Sequence, residues 1–398
     1  MIEKGKRGGL KRRLPAIAGG KPAFDEPVPI TRPTITGIGG LVKGYRRILE
    51  SGMITNAGYV KEFENRVAEY TGARHAIALA SCTSGLMLIM KALGLKGEVI
   101  LPSFTFHATA HAVVWNGLKP VFVDCDPATY NIDPEEAEKA ITPATSAILA
   151  VYIFGNPPDM DKLERIARRR DLKLIFDAAH GFGSVYKGRN AGTFGDAESF
   201  SLSPTKLVTA GEGGVVTTND DKLAGMVRIG RNYGDPGTYD CAFSGLSARM
   251  DEFSGLLGIE GLKRLEAHAK RRNSIAALYT RRLSKLEGLT FQKIEGRNRS
   301  SYKDFSILVD GARFGITRDV LADALAAEKI VTKKYFYPAV HDQKIFLGFR
   351  NGAAKFEATE RLAGGSLSLP LYSDMPLSDV ERICDTIERI HGYYKRPG

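Results

Sequence analysis

Cysteine is scarce in this sequence and long apolar runs are missing, which excludes several classes of protein. Only four cysteines occur among 398 residues, and none of them has the CxxC spacing of a metal or redox site. We therefore expect no iron–sulfur cluster, zinc ribbon or disulfide scaffold. No apolar stretch approaches the length of a bilayer span, and the N-terminus lacks the apolar core of a signal peptide. These absences predict a cytoplasmic protein with no membrane insertion.

Two common nucleotide-binding motifs are absent as well. Neither GxGxxG nor GxxxxGK[ST] occurs where a predicted strand leads into a helix, so the sequence predicts no Rossmann dinucleotide site and no P-loop. What remains is an ordinary globular composition, with 43% hydrophobic and 25% charged residues. A length of 398 residues favours two domains.

Positive charge exceeds negative charge, and part of the excess lies at the N-terminus. The chain has 56 Lys and Arg against 45 Asp and Glu, a net charge of +11. Residues 1–20 hold six of the cations and one Glu, which is +5. This segment carries no aromatic residue and no helical apolar face, which favours a solvated tail over an arm that binds nucleic acid. The remaining surplus suits a phosphate-bearing substrate.

Strand and helix patterns alternate from residue 75 to residue 176. The predicted strands are 75–80, 98–101, 121–123, 146–152 and 172–176, and the predicted helices are 86–93, 108–115, 134–140 and 160–170. Such repeated βα units imply a parallel sheet covered by helices on both faces, with ligands bound at the carboxyl ends of the strands.

The flanking segments have a different pattern. Two helices are predicted before the alternation, at 40–51 and 59–71, and a long helix at 253–286 follows it, leading into a mixed αβ segment. We predict three parts from this change: a basic tail at 1–20, a large domain at 21–265 and a smaller C-terminal domain at 266–398.

A lysine between two predicted strands is the most informative single residue. Lys206 lies in DAESFSLSPTKLVTAGEGGVVTTN (196–219), among glycines that permit a bulky group to approach the backbone. The hydroxyls of Ser201, Ser203 and Thr205 could donate to an anion. A lysine with a lowered pKa forms Schiff bases with aldehyde cofactors. Taken alone, Lys206 has a simpler interpretation as an exposed surface lysine.

A carboxylate and a histidine follow the last strand of the alternating region. Asp177 comes directly after the predicted strand 172–176. At a buried strand end it needs a cationic partner, and the protonated nitrogen of a pyridoxal ring would be one. Asp177 could instead cap a helix. His180 could bond the phenolic oxygen of such a cofactor or move a proton, or it could be structural.

Two further segments allow both a structural and a functional interpretation. The hydroxyl residues of SCTSG (81–85) precede a predicted helix, where they could cap it or help its N–H groups to bind phosphate. Phe106 could cover a planar ring or lie in the core. His107 and His111 are four residues apart on one helical face, but Ala108 rather than Glu follows His107. No third ligand is apparent, so we favour packing and expect no metal site.

Several of these motifs occur in a fixed order along the chain. They are SCTSGL (81–86), LPSFTFHAT (101–109), FGNPPDMD (154–161), FDAAHGFGSVYKGRNAG (176–192), SLSPTKLVTAGEGGVVTT (201–218), ARMDEF (248–253) and KKYFYPAVH (333–341). Together they resemble the DegT/DnrJ/EryC1/StrS family of pyridoxal-phosphate sugar aminotransferases, over about residues 52–370. The resemblance implies a fold type I enzyme: an α/β protein with a mostly parallel central sheet in a large domain and a smaller α/β C-terminal domain. It also implies a homodimer with active sites shared between subunits.

The resemblance assigns roles around pyridoxal 5'-phosphate (PLP), the implied cofactor. Lys206 matches the Schiff-base lysine that forms the internal aldimine, Asp177 the partner of the pyridine nitrogen, and His180 the residue beside the phenolic oxygen. Phe106 matches the stacking ring. The remaining matched positions bind the cofactor phosphate, and they are Thr83, Ser84 and Ser201.

Three positions depart from the family pattern. Phe176 stands where Glu often precedes the pyridine aspartate, and Ser247 stands where an asparagine of the neighbouring subunit usually reaches the cofactor phosphate. Lys333 occupies a position often held by arginine near the sugar nucleotide, which replaces a two-pronged donor with a point charge. The residues assigned to substrate binding are Asn156, Lys333, Tyr335 and His341.

The expected activity is transfer of an amino group, from glutamate as donor, to a keto sugar on a nucleoside diphosphate. A cyclitol or another non-nucleotide ketone is the alternative acceptor. A pyridoxamine-dependent dehydratase of the same fold is disfavoured because such enzymes typically replace the Schiff-base lysine with histidine. A catalytically silent regulatory or nucleic-acid-binding protein is the alternative of another class, and the intact Lys206, Asp177 and His180 argue against it.

Overall fold

The computed structural model describes residues 14–350 and 354–395. All six cations of the predicted basic tail lie in residues 1–13, outside the described residues, so its interpretation stays a prediction. None of the helices within the described ranges is long and apolar enough to cross a membrane.

Helices and strands alternate between residues 75 and 177, as predicted. The helices are α1 (Ile38–Ser51), α2 (Gly58–Thr71), α3 (Cys82–Ala92), α4 (His107–Trp115), α5 (Pro134–Lys139), α6 (Met160–Arg170), α7 (Asp221–Gly230), α8 (Glu252–Leu262), α9 (Leu265–Leu283), α10 (Gly311–Phe314), α11 (Arg318–Ala327), α12 (Glu357–Gly365) and α13 (Leu377–Tyr394). The strands are β1 (His75–Leu79), β2 (Glu98–Pro102), β3 (Lys119–Val123), β4 (Thr145–Val151), β5 (Lys173–Asp177), β6 (Val185–Tyr186), β7 (Arg189–Asn190), β8 (Ala197–Ser201), β9 (Gly214–Thr218), β10 (Leu289–Phe291), β11 (Phe305–Val309) and β12 (Ser366–Leu369).

A seven-stranded sheet forms the centre of the large domain. Its strand order is β1-β9-β8-β5-β4-β2-β3. Strand β9 runs opposite to the other six, since it pairs antiparallel with both β1 and β8. The five strands from β8 to β3 pair in parallel, so their carboxyl ends share one edge. A second, antiparallel sheet of order β10-β11-β12 lies in the C-terminal part. The predicted α/β class with a mostly parallel sheet is confirmed.

The hydrophobic cores cross the predicted domain boundaries in two places. Ala23, Phe24 and Val28 belong to the core of the C-terminal sheet, and Val28 forms a parallel bridge with Ile330. The start of the predicted large domain therefore packs with the smaller one. A proline-rich extended segment has no periodicity that would reveal its partner, which is why the sequence did not show this.

The predicted long helix at 253–286 is two helices, and the second of them connects the two cores. Arg264 has φ −111° and ψ 1°, which are not helical values, and it separates α8 from α9. The first turns of α9 pack in the core of the large domain through Leu265 and Ala269. From Ile275 onward the helix packs in the core of the C-terminal sheet. The boundary between the cores thus lies inside α9 rather than at residue 265.

Helix α3 begins earlier than the predicted 86–93. The Ser81 Oγ accepts from the Ser84 backbone nitrogen at 3.1 Å, and the Ser84 Oγ accepts from the Ser81 nitrogen at 3.2 Å. This reciprocal capping box satisfies two of the free N–H groups at the helix start. Thr83 and Ser84 therefore lie in the first helical turn and not in the loop before it.

A carboxylate from α8 caps α2, and we expect its removal to destabilise the fold. Ala57 precedes α2 and has no capping side chain. The buried Glu252 instead accepts from the backbone nitrogens of Ala57, Tyr59 and Val60 at 2.8, 2.7 and 2.9 Å. Replacing Glu252 with alanine leaves these donors unpaired and is expected to lower the free energy of unfolding by about 2–4 kcal/mol, measured by urea denaturation.

Two matched variants separate this effect from a general loss of charge. Glu252→Gln keeps one acceptor oxygen and should lose less than the alanine variant. Glu62→Ala removes an exposed carboxylate of α2 that pairs with Arg66, and it should change stability by no more than about 0.5 kcal/mol. A Glu252→Ala protein as stable as wild type would contradict the capping role.

Candidate active site

A cavity of about 350 Å³ lies at the shared carboxyl edge of the large sheet. Val151, Asp177 and Ser201, which are the last residues of β4, β5 and β8, all line it. The carboxyl ends of parallel strands are where α/β proteins bind their ligands. A larger surface cleft of about 1140 Å³ beside β3 contains none of the predicted site residues.

The N-terminus of α3 forms one wall of this cavity. Ser81, Cys82 and Thr83 line it, so the free N–H groups and the positive end of the helix macrodipole face the cavity. The start of β9 approaches this turn closely, because a Cβ at Gly214 would lie 2.4 Å from the Cys82 nitrogen. Ser84 does not line the cavity, since its Oγ donates to the Ser81 carbonyl at 2.8 Å as part of the cap.

Asp177 presents a buried carboxylate to the cavity. Its Oδ2 accepts from the Thr109 Oγ1 at 2.8 Å, and its Oδ1 accepts from the Ala179 nitrogen at 3.1 Å. Burial raises the pKa of Asp177, while these hydrogen bonds and the charge of Lys206 oppose the rise. No salt bridge to Asp177 occurs among the described residues. A buried carboxyl group with neutral hydrogen-bond donors and no salt bridge is suited to a cationic ligand.

His180 has an unsatisfied ring nitrogen. Its Nδ1 is buried without a hydrogen-bond partner in the described part of the chain, while its backbone carbonyl accepts from the Ser301 Oγ at 2.6 Å. Burial, and after it the charges of Lys206 and Lys303, lower the pKa of His180 well below its ordinary value. The imidazole is therefore neutral at pH 7, and one of its nitrogens is free for a ligand.

Lys206 lies in the loop between β8 and β9, with its side chain at the cavity. Turn hydrogen bonds fix the loop: the Lys206 nitrogen donates to the Ser203 carbonyl at 3.0 Å, and the Ala210 nitrogen donates to the Leu202 carbonyl at 2.8 Å. Burial, and after it the charge of Lys303, lowers the pKa of Lys206 to about 8. At pH 7 about one tenth of this amine is therefore an unprotonated nucleophile, far more than for a lysine with the ordinary pKa.

We expect the titration of Lys206 to be directly measurable in the apoprotein. With its lysines carrying ¹³C-methyl groups, the protein should show one resonance with a midpoint near pH 8, absent from Lys206→Ala. In Lys303→Met the midpoint should rise, because removing that cation leaves the Asp304 carboxylate, which favours the charged amine. A Lys206 midpoint near the ordinary value of 10.5 would contradict the desolvated environment.

Aromatic side chains close the cavity. Phe106 precedes α4, lines the cavity and is 49% exposed, so its ring has room for a planar partner. Tyr335 and Phe336 line the cavity from the C-terminal part of the chain. Burial raises the pKa of Tyr335 to about 12, so its hydroxyl is a neutral donor at pH 7.

Besides Ser84, four predicted residues do not line this cavity. Asn156 is 1% exposed, and its amide donates to the carbonyls of Thr129 and Lys293, so it connects two loops. His341 is fully buried, with its Nδ1 bonded to Ser103 and its ring stacked on Phe356. Both side chains make contacts within the fold and neither lines the cavity, so their assignment to substrate binding stays a prediction.

The other two predicted residues outside the cavity are at the surface. Lys333 is exposed, and its backbone forms a bridge with Ser368. Its side chain does not line the cavity. Ser247 is exposed too and does not line the cavity. Since the resemblance assigns Ser247 to the site of a second subunit, a single chain does not test that role.

The sequence analysis missed a buried ion pair in the cavity. Lys303 and Asp304 line it with side chains that are 6% and 4% exposed, and the Lys303 Nζ lies 2.9 Å from both carboxylate oxygens. Thr109, which bonds Asp177, was missed too. A KD dipeptide before a strand has no distinctive pattern, and only its position beside the cavity shows that it matters.

The predicted packing role fits His107 and His111. Their ring centroids lie 5.4 Å apart on α4, and His111 contacts Phe346. In residues 14–350 and 354–395 there is no cluster of three or more His, Cys, Asp or Glu side chains that could hold a metal ion.

Comparison with known proteins identifies the relatives of this chain. A profile of the DegT/DnrJ/EryC1/StrS aminotransferase family matches residues 41–388. The dTDP-4-amino-4,6-dideoxy-D-glucose transaminase of Escherichia coli is 31% identical over 88% of this chain and 95% of its own length. The structure of DesI, solved in the presence of its TDP-sugar product, is 38% identical with a TM-score of 0.89, covering 94% of this chain and 95% of that one. A Streptococcus pneumoniae structure solved in its PLP form shares the fold, with 24% identity, a TM-score of 0.85 and coverage of 93% of this chain and 100% of that one.

Proposed function

The chain belongs to the DegT/DnrJ/EryC1/StrS aminotransferase family, and we propose that it moves an amino group from glutamate to a keto sugar carried on a nucleoside diphosphate. The observation that carries the proposal is the combination of Lys206, Asp177 and His180 around one cavity at the carboxyl edge of the sheet. The names of the relatives support the nucleotide-linked substrate, since one is a dTDP-sugar transaminase and another was solved with a TDP-sugar product.

The cavity has the groups that PLP requires, and the family is one of PLP-dependent aminotransferases. We propose that Asp177 pairs with its pyridine nitrogen and that the unsatisfied ring of His180 lies beside its phenolic oxygen. The N-terminus of α3, with Thr83, and the hydroxyl of Ser201 provide donors for its phosphate. When bound, PLP supplies an aldehyde and an electron-withdrawing ring that stabilises negative charge on the donor's α-carbon.

The chain's own contributions follow from the state of each side chain. Lys206, whose lowered pKa of about 8 makes its unprotonated form accessible near neutral pH, anchors the aldehyde and, once the amino donor has displaced it, carries the α-proton away from the donor carbon. Asp177 keeps its partner nitrogen protonated throughout. The donor leaves as a 2-oxoacid after water has replaced its nitrogen with oxygen, and the amino group stays at the site. In the second half-reaction this amino group condenses with the carbonyl of the keto sugar with loss of water. Lys206 then delivers a proton to the former carbonyl carbon, and the sugar leaves as its amine.

A second copy of the chain is the proposed partner. The outer face of α1 exposes Ile38, Val42 and Leu49, while Leu41 and Ile48 of its other face are buried. An apolar stripe at helical spacing on the surface favours contact with another protein. The exposed Ser247 is consistent with donation across that contact, as the resemblance implies. The proposal is therefore a homodimer with shared sites.

The test of this function begins with the visible spectrum. A yellow protein whose borohydride-reduced adduct maps to Lys206 would establish the cofactor and its anchor. A screen of nucleotide-linked keto sugars with glutamate then follows, beginning with dTDP-4-keto-6-deoxy-D-glucose, which is the ketone matching the amine of the E. coli relative. A protein that stays colourless after PLP is added, or that aminates free cyclitol ketones in preference to nucleotide sugars, would contradict the proposal.

A further inference from the structure

The buried pair formed by Lys303 and Asp304 enters the active-site cavity from the C-terminal part of the chain. It lies at the end of the loop that leads into β11 and lines the same cavity as His180 and Lys206. The charge of Lys303 is close enough to lower the pKa of both residues. Its ammonium also lies 5.2 Å from the centroid of the Tyr335 ring. Burying two charges is costly even when they pair with each other. The catalytic roles proposed above do not involve this pair.

The fold holds this pair in place with several hydrogen bonds. The buried Arg272 of α9 donates to the carbonyls of Tyr302 and Lys303 at 3.3 Å each. On the other side, the Lys303 nitrogen donates to the Phe154 carbonyl at 3.1 Å, and the Ser301 Oγ donates to the His180 carbonyl. The position of the ammonium is thus fixed relative to His180.

No residue has yet been assigned to bind the α-carboxylate of the amino donor. The amino donor carries an α-carboxylate, and a carboxylate that leaves water needs a cationic or hydrogen-bonded partner. Among the described residues that line the cavity there is no arginine, and the lysines are Lys206 and Lys303. Lys206 is engaged with the amino group and the α-proton. The other charged groups there, Asp177, Glu212 and Asp304, are acids that repel a carboxylate.

We propose that Lys303 binds the α-carboxylate of the amino donor, and that Asp304 holds its ammonium in position for that contact. The proposal rests on the aminotransferase function proposed above and specifies the binding of its donor. An ammonium has three donor hydrogens, and Asp304 offers two acceptor oxygens, each 2.9 Å from the Nζ, so at least one hydrogen remains for a ligand.

The pairing with Asp304 also explains how the Lys303 ammonium can stay charged in a buried cavity before the donor binds. Without the carboxylate, Lys303 would lose its only ion-pair partner within the described residues, and two lysines would face each other unbalanced. An ion pair that retains a spare donor hydrogen can bind the carboxylate of glutamate, and once the 2-oxoacid has left, the ammonium still has Asp304 as its partner.

The test compares two donors that differ only at the α-carboxyl group. L-Glutamate and its α-amide, L-isoglutamine, are reacted with the PLP-loaded enzyme, and the first half-reaction is followed by the loss of the yellow colour. Lys303→Met is expected to raise the KM for glutamate about 10- to 100-fold, as for loss of one hydrogen bond between charged groups, and to leave that for isoglutamine unchanged. Lys303→Arg should recover part of the difference.

Two variants keep the experiment decisive if the methionine variant folds poorly. Lys303→Met combined with Asp304→Asn leaves no unpaired buried charge and should show the same selective loss for glutamate. Asp304→Asn alone retains the ammonium but removes the charge that positions it, and should weaken the discrimination in favour of glutamate less than Lys303→Met does. Equal losses with both donors, or an unchanged KM for glutamate, would overturn the assignment of Lys303 while leaving the aminotransferase function intact. A wild-type enzyme that reacts with no amino donor would overturn both proposals.

Discussion

Lys206→Ala is expected to abolish turnover, with a loss of more than about 10⁴-fold in kcat. The substitution removes both the amine that anchors the cofactor aldehyde and the base that moves the α-proton, and each of these roles alone is worth orders of magnitude. The other lysine among the described residues that line the cavity, Lys303, does not replace it because it is paired with Asp304. The measurement is single-turnover amino transfer with glutamate, and an active, fully purified Lys206→Ala enzyme would disprove the mechanism.

The same position offers a control that separates function from folding. Lys206→Met keeps the length of the side chain without its charge. In the folded apoprotein the amine titrates at about 8, against an ordinary value of 10.5. Between these pH values the unfolded chain binds more protons, so wild-type stability rises with pH, and the cost of the buried charge is fully present below pH 8. At pH 7 the methionine variant should therefore be more stable than wild-type apoprotein, by about 3 kcal/mol. An inactive variant that is also more stable cannot owe its inactivity to misfolding.

Asp177→Asn is the second substitution with a large expected effect. The amide keeps the shape of the carboxylate but cannot hold the pyridine nitrogen protonated, so the ring loses most of its capacity to stabilise negative charge. We expect kcat to fall about 100- to 1,000-fold, the range found when a preorganised electrostatic contact is removed. The cofactor should stay bound, which is checked by the visible spectrum of the variant.

A neighbouring substitution isolates the contribution of charge at Asp177. Thr109→Val removes the 2.8 Å hydrogen bond to the Oδ2 while the carboxylate and the volume of the side chain remain. Its loss of activity should stay below about 10-fold, because the bond orients the carboxylate without changing its charge. If Thr109→Val and Asp177→Asn were equally impaired, orientation and not charge would be the function of Asp177.

The sequence predicted the parts of the site that lie at strand ends of the large sheet. Asp177, Ser201 and Lys206 follow or end strands whose apolar runs are clear, and parallel strands bring their carboxyl ends to one edge. The fold class could be predicted for the same reason. The start of α3 was predicted too late because the hydroxyl residues suggested a loop, whereas the cap is the first of them, Ser81.

The sequence did not show which contacts individual side chains make, or which distant segments are hydrogen-bonded to each other. A motif places Asn156 and His341 near the right loops but does not show that the first donates to Thr129 and Lys293 or that the second stacks on Phe356. The importance of Lys303 was not visible either. It reaches the cavity only because its loop is hydrogen-bonded to residues far away in sequence, among them Phe154 and His180.

Helix α9 makes the two cores one cooperative unit. Its first turns complete the packing beneath the large sheet, and its later turns complete the packing of the C-terminal sheet. Melting of either core would leave part of α9 without the side chains that cover its apolar face. The turns still packed in the other core would then be a short helix, which is unfavourable on its own. The chain should therefore lose its structure in a single calorimetric transition, with no intermediate in which the large sheet survives alone. Damage to the surface of the C-terminal sheet is then transmitted to catalysis as a loss of folded protein and not as a slower reaction.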